Sequence, residues 1–252
     1  MTRWFNIGGP CIARLHYMIP AARRATEAAT LIGQGRWFSL VSGRQTGKTT
    51  VVRHLARDLT QSGAYYALWV DLETVRALDD PAAALRELLL CLARALQLHA
   101  PSLPLPPDDA VERWLLSPAS ALMEYLRAVC AASDRPLVLL LDEADVLRGA
   151  AMVSFLTQLR ALYLAREDQP APWSVVLIGV RSIRDYVVGD GQQSVPWLGS
   201  ASPFNITAEN VTLAAFTEAE VGELVAQHTA ETGQRFEPEA VAHLHYLSAG
   251  QP

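Results

Sequence analysis

The segment Ser42-Gly43-Arg44-Gln45-Thr46-Gly47-Lys48-Thr49-Thr50 holds the residue types that grip a chain of phosphates. It lies between an apolar run and a stretch of helical spacing. The N–H groups of the loop and of the helix start therefore converge on one point, where the helix dipole also favours negative charge. In the pattern GxxxxGK[ST], Lys48 reaches the β- and γ-phosphates, Gly47 lets the backbone come close, and the Thr49 hydroxyl ligates magnesium. Gly43, Arg44, Gln45, Thr46 and Thr50 complete the expected cradle. Ser42 stands where the pattern has its first glycine, so Gly43 is expected to serve the turn instead. Among the 21 lysines and arginines, Lys48 is the single lysine. A compact ammonium fits a phosphate tip where a planar guanidinium does not.

A second group complements the first. The apolar run 137–141 ends in Asp142-Glu143. An aspartate delivered by a buried strand, downstream of a phosphate loop, holds magnesium through water, and the glutamate after it orients and polarises the attacking water. Alone, an Asp-Glu pair after a strand is equally an N-terminal helix cap; beside a phosphate loop the catalytic reading prevails. A further apolar run ends in Gly179-Val180-Arg181-Ser182, which makes Ser182 a candidate sensor of the γ-phosphate. Arg166, Arg181 and Arg184 are candidate phosphate contacts, in cis or from a neighbouring subunit, with structural roles as the alternative. No arginine finger is assigned. The expected catalytic residues are Lys48, Glu143 and Ser182, and the expected magnesium ligands are Thr49 and Asp142.

Such groups have to be carried to one sheet edge. Strands are expected at 37–41, 65–70, 137–141, 174–179 and near 204–212. Helices are expected at 48–61, 81–98, 118–131 and 151–166, with a Pro-rich loop over 100–107. This alternation predicts an α/β domain with a mostly parallel sheet over residues 1–212. From Leu213 the pattern is helical only: Thr217 with Glu220 forms a capping-box signature and Pro238 opens a second amphipathic stretch. Residues 213–252 read as the start of a helical lid with too few helices to close a core of its own, as in a piece of a longer chain.

Composition narrows the classes. Of 252 residues, 50% are hydrophobic and 19% charged, enough for a large core. The apolar runs fall short of the roughly 20 residues that cross a bilayer, and the N-terminus lacks the basic-then-apolar order of a secretion signal. A cytosolic protein is expected. Cys11, Cys91 and Cys130 lie far apart and read as reduced packing residues. The net charge of -5, with no basic cluster longer than Arg23-Arg24, gives no footprint for nucleic acid. His243 and His245 do not share a helix face and are not read as a zinc site. Leu247-Ser248-Ala249-Gly250-Gln251 imitates the ABC-transporter signature but follows Asp142, so it is read as a helix end. Asp142-Glu143-Ala144-Asp145 spells the DEAD-box motif without the other helicase motifs.

Beyond the phosphate loop and the Asp-Glu pair, Phe5-Asn6-Ile7-Gly8-Gly9-Pro10, His16-Tyr17, Gly179-Val180-Arg181, Ser202-Pro203-Phe204-Asn205-Ile206 and Gly250-Gln251-Pro252 give the chain a family likeness. It resembles the prokaryotic AAA-like ATPase domains, akin to the STAND and origin-recognition branches of the AAA+ class of P-loop NTPases. The resemblance implies a five-stranded parallel sheet between helices, with the phosphate-loop strand central and a helical lid over the nucleotide. It further implies an adenine pocket lined by Ile7, Gly9, Pro10 and Tyr17, with Gly250-Gln251-Pro252 as a GxP turn that brings Pro252 to the nucleotide. The implied cofactors are ATP or ADP with magnesium.

Two activities remain open. One is an ATPase that switches or assembles, through self-association or an appended effector domain. The other is a signalling or scaffold module that holds its nucleotide with little turnover. A small-molecule kinase would need an acceptor pocket and an arginine-rich lid, and the sequence offers neither.

Overall fold

The computed structural model describes residues 2–43, 46–180 and 209–251. Two short helices, α1 (Ala21–Arg24) and α2 (Thr26–Gly33), precede β1 (Phe38–Val41) and α3 (Lys48–Gln61). There follow β2 (Tyr66–Asp71), α4 (Pro81–His99), α5 (Asp108–Leu115), α6 (Ala121–Ala132), β3 (Leu137–Asp142), α7 (Gly149–Ala165) and β4 (Ser174–Gly179). Then come β5 (Glu209–Thr212), α8 (Glu218–Thr232) and α9 (Pro238–Ser248), while single 3-10 turns occupy Glu73–Ala77 and Ala144–Val146. The chain divides into two compact units, one of Glu27–Val41 and Ala56–Val211, the other of Met1–Thr26, Ser42–Leu55 and Thr212–Pro252.

The larger unit is built on the sheet, whose strand order is β2-β3-β4-β1-β5. The neighbours β2 and β3, β3 and β4, and β4 and β1 pair in parallel. Every residue of β3 and β4 is buried, as a parallel sheet covered on both faces requires. Strand alternation sends Leu68, Val70, Leu137, Leu139, Leu141, Val175 and Leu177 into one core with the apolar stripes of α4, α6 and α7. The α/β class and the five-stranded sheet agree with the expectation from sequence. The position of the phosphate-loop strand does not: β4 takes the middle and β1 lies between β4 and β5.

Local chemistry explains the helix boundaries. Asp80 caps α4 by accepting the Ala83 N–H at 2.8 Å, with Pro81 as the first helical residue. The helix expected from residue 118 begins only at Ala121, because a buried glutamine of α7 holds the preceding turn. Gln158 accepts the N–H groups of Leu122 (2.9 Å) and Met123 (3.2 Å) through its carbonyl, and its amide donates to Pro118 O and Ser154 Oγ, both at 3.1 Å. Three helices lie where none was expected from sequence. These are α1 and α2, next to Pro20, and α5, which opens on Asp108-Asp109 just after the Pro-rich loop. Acidic residues in a first turn favour the helix dipole, so the signal for α5 was present.

Replacing Gln158 with Leu keeps the volume and strands the N–H groups of Leu122, buried, and Met123, partly buried, at the start of α6. The expected loss is about 2 kcal/mol, read as a lower urea midpoint with an unchanged denaturant slope.

Candidate functional site

The smaller unit contains the phosphate loop. Ser42 is buried, and its hydroxyl meets the Thr46 hydroxyl, which in turn donates to Gly43 O at 3.0 Å. The serine in the first-glycine position thus ties the two ends of the loop together across Gly43. Arg44 and Gln45 lie outside the described residues. Gly47, at φ +77°, leads into the first turn of α3, where Lys48 is 8% exposed.

Thr50 reaches backward: its Oγ1 accepts the Cys11 N–H at 2.9 Å. This bond joins α3 to an N-terminal strap that returns on itself through Trp4 N–H to Leu15 O (3.0 Å) and Tyr17 N–H to Trp4 O (3.2 Å). Within the strap, the Asn6 amide donates to Gly9 O at 2.7 Å and closes a small loop.

Strap, α3 and α8 together enclose a cavity of about 340 Å³. Ile7, Gly9 and Tyr17, singled out from sequence, line it with Gly47 and Thr50 of the phosphate-loop region. Pro10 is exposed and is not part of the wall. Pro252 lies outside the described residues. Sequence reading missed Met18, Ile19, Arg24, Val51, Phe216 and Leu224, which also line it. Apart from Arg24 their apolar character was visible, but their convergence depends on a fold that joins segments some 200 positions apart.

The wall is braced by charge. Tyr17 Oη lies 3.5 Å from Glu231 Oε2 and 3.2 Å from His228 Nδ1, and Arg3 pairs with Glu231 at 2.7 Å. Desolvation, and then the Glu231 carboxylate, push the Tyr17 phenol above its ordinary range. Arg24 has only 5% of its side chain exposed, lies 4.3 Å over the Phe216 ring and stands 3.8 Å from Glu220. Burial pulls its guanidinium below the ordinary arginine range, against Glu220.

The larger unit carries the acidic pair. Within it, β1, β3 and β4 run parallel, so their C-terminal ends lie at one edge of the sheet. Asp142 closes β3 at 2% exposure. Its Oδ1 accepts the N–H of Glu143 at 3.1 Å and its Oδ2 the indole N–H of Trp69 at 3.3 Å. Glu143 sits in the left-handed region, φ 56° and ψ 35°, rare for a residue with a side chain and most often seen where function over-determines the backbone. Its carboxylate lies 3.5 Å from Arg76, which Glu73 holds in a two-pronged pair at 2.7 Å. Asp145 secures β4 by accepting Val180 N–H at 3.0 Å, so close that a Cβ on Gly179 would stand 2.9 Å from its Cγ. The acidic run therefore does local structural work. Ser182, Arg181 and Arg184 lie outside the described residues. Arg166 packs 4.0 Å over the Tyr163 ring and donates to Gly35 O at 3.3 Å.

A family model described as an AAA-like domain matches residues 16–252. The chain belongs to the AAA-like domain family. Among solved structures, this AAA-like domain is similar to the Walker-type ATPase of Pyrococcus abyssi, at 13% identity and a TM-score of 0.63 over 93% of this chain and 65% of that one. Weaker likenesses are to AMPPCP-bound DnaA from Aquifex aeolicus (14% identity, TM-score 0.49, 90% of this chain and 57% of that one) and to Aeropyrum pernix ORC1 in complex with DNA (16%, 0.48, 92% and 56%). The AAA-like domain thus spans about 65%, 57% and 56% of those chains. Comparison with curated proteins gives no match. Among the described residues, no helix is long and apolar enough to cross a membrane.

The C-terminal helices of the AAA-like domain close on the same unit. The capping box between Thr217 and Glu220 is formed, and α8 ends at Gly233 in the left-handed region. The Ser248 segment is the end of α9, as expected: Ala249 and Gly250 turn left-handed at φ 51° and 70°. Phe216 N–H then donates to Gly250 O at 2.7 Å. A Cβ at Gly250 would lie 2.2 Å from Phe216 O. Gly250→Ala is therefore expected to open this turn and cost about 2 kcal/mol, seen as faster hydrogen exchange at the Phe216 amide.

Proposed function

We propose that this AAA-like domain binds ATP or ADP with magnesium and hydrolyses ATP as a nucleotide-dependent switch or assembly motor. The observation that carries the reading is a single cavity wall made of Gly47 and Thr50 from the phosphate-loop region and Ile7, Gly9 and Tyr17 from the strap. Its volume of about 340 Å³ lies within the range of small-molecule sites. The base fits its apolar end and the phosphates fit the loop N–H groups at the start of α3.

In this reading Lys48 neutralises charge on the β- and γ-phosphates, held in place by the burial of its stem. Glu143 accepts a proton from the water whose oxygen forms the new bond to the γ-phosphorus, as the bond to the β–γ bridging oxygen breaks and ADP departs. Asp142, a nearly buried carboxylate, and the Thr49 hydroxyl are hard oxygen donors of the kind a magnesium ion takes. Those two residues would hold the ion, which would supply positive charge against the charge developing on the phosphates. Ser182 is proposed as the γ-phosphate sensor, and Arg44, Gln45 and Pro252 as further nucleotide contacts. Residues 213–252 act as the lid that reports nucleotide state, with self-association or an appended effector domain as the output.

The Arg76–Glu143 pair at 3.5 Å favours a second reading. A glutamate held by an arginine is turned away from the water it would activate, and a module that keeps its nucleotide with little turnover would use such a contact.

Lys48→Ala is expected to abolish nucleotide binding in calorimetry, and undiminished affinity would remove the phosphate loop from the site. Glu143→Gln is expected to bind ATP and lose turnover by at least about 100-fold, assayed with magnesium at several protein concentrations. Turnover in neither protein, with binding in both, would favour the nucleotide-holding module.

A further inference from the structure

The sheet edge that carries Asp142 is crowded with carboxylates. Register sets Asp71 directly opposite Asp142 and Trp69 opposite Leu140. By strand alternation, Trp69 and Asp71 share a sheet face with Leu140 and Asp142. The two aspartates meet different partners. Asp71 is exposed and turns to its own chain, accepting Glu73 N–H at 2.9 Å. Asp142 is buried and cannot turn to solvent. Each of its oxygens takes a separate donor, the Glu143 N–H on Oδ1 and the Trp69 indole N–H on Oδ2.

The backbone donor comes with any residue at 143. The indole does not: packing at position 69 asks only for a large apolar side chain, and tryptophan adds one donor and no acceptor. We propose that Trp69 is a positioning residue for the divalent cation, its indole N–H fixing the rotation of the Asp142 carboxylate so that the remaining lone pairs face the cation's shell in one orientation. The inference rests on the reading of Asp142 as the magnesium-bearing carboxylate. A carboxylate already oriented does not have to be ordered when the cation arrives, and removing such an outer partner typically costs about 10–100-fold in metal affinity.

The test is calorimetric titration of ATP into wild type, Trp69→Phe, Asp142→Asn and the double variant, across a magnesium series and in excess EDTA. Trp69→Phe is expected to raise the magnesium concentration for half-maximal effect about ten-fold, leaving the affinity in EDTA unchanged. Asp142→Asn is expected to remove most of the magnesium dependence, with Trp69→Phe adding nothing to it. Should Trp69→Phe fail to fold, β-(3-benzothienyl)alanine at position 69 keeps the bicyclic shape without the N–H and should give the same shift. An unaltered magnesium dependence in either position-69 variant, beside a lost one in Asp142→Asn, would overturn the positioning role alone. So would an equal loss of affinity with and without magnesium. Unaltered dependence in Asp142→Asn would instead overturn the assignment of Asp142 and this inference with it.

Discussion

A carboxylate at the end of a fully buried strand must be met by donors before the strand can sit where it does. Transferring an unpaired carboxylate out of water costs far more than one strand's burial returns. β3 is such a strand, Leu137-Val138-Leu139-Leu140-Leu141-Asp142. The surroundings follow from satisfying its last residue. Glu143 turns left-handed as its own N–H meets Asp142, Trp69 lends its indole from β2, and the chain is then aimed so that Asp145 can receive Val180 and fix the end of β4. One apolar run and one charge organise the ends of three strands at one edge of the sheet.

The smaller unit answers a different constraint. Its segments come from three distant stretches of chain, and besides buried apolar side chains such as Ile19, Val52 and Val225, polar contacts join them. Gln227 receives Met18 N–H at 3.3 Å and returns its own amide to Met18 O at 3.0 Å, as a neighbouring strand would. Arg3, Tyr17, His228 and Glu231 form a linked group around Phe5 and Phe236. α9 contributes no buried residue. Hydrogen bonds and ring contacts of this kind are individually weak, and units built on them open more readily than a packed core.

Much of this was legible in the chain because it is local. The continuous apolar run of β3, the glycines and lysine of the phosphate loop, the capping box at Thr217 and Pro238 at a helix start each need only neighbours in sequence to be read. The start of α6 at Ala121 was not legible, because a glutamine 37 positions further on sets it. Nor were Arg24 and Phe216, whose pairing joins opposite ends of the chain. Ser42 looked like a departure from a glycine pattern. Its meaning is a hydroxyl pair with Thr46, which spacing alone does not reveal.

The solitary lysine has a practical side. In these 252 residues only one side chain bears a primary amine, and it is 8% exposed at the start of α3. An amine-selective acylating reagent meets on this chain one slow side-chain target rather than a scatter of fast surface ones. The mass increment it leaves on the peptide containing Lys48 therefore reports how often that loop opens to solvent. A ligand seated on the loop would register as protection, with no substitution or label introduced beforehand.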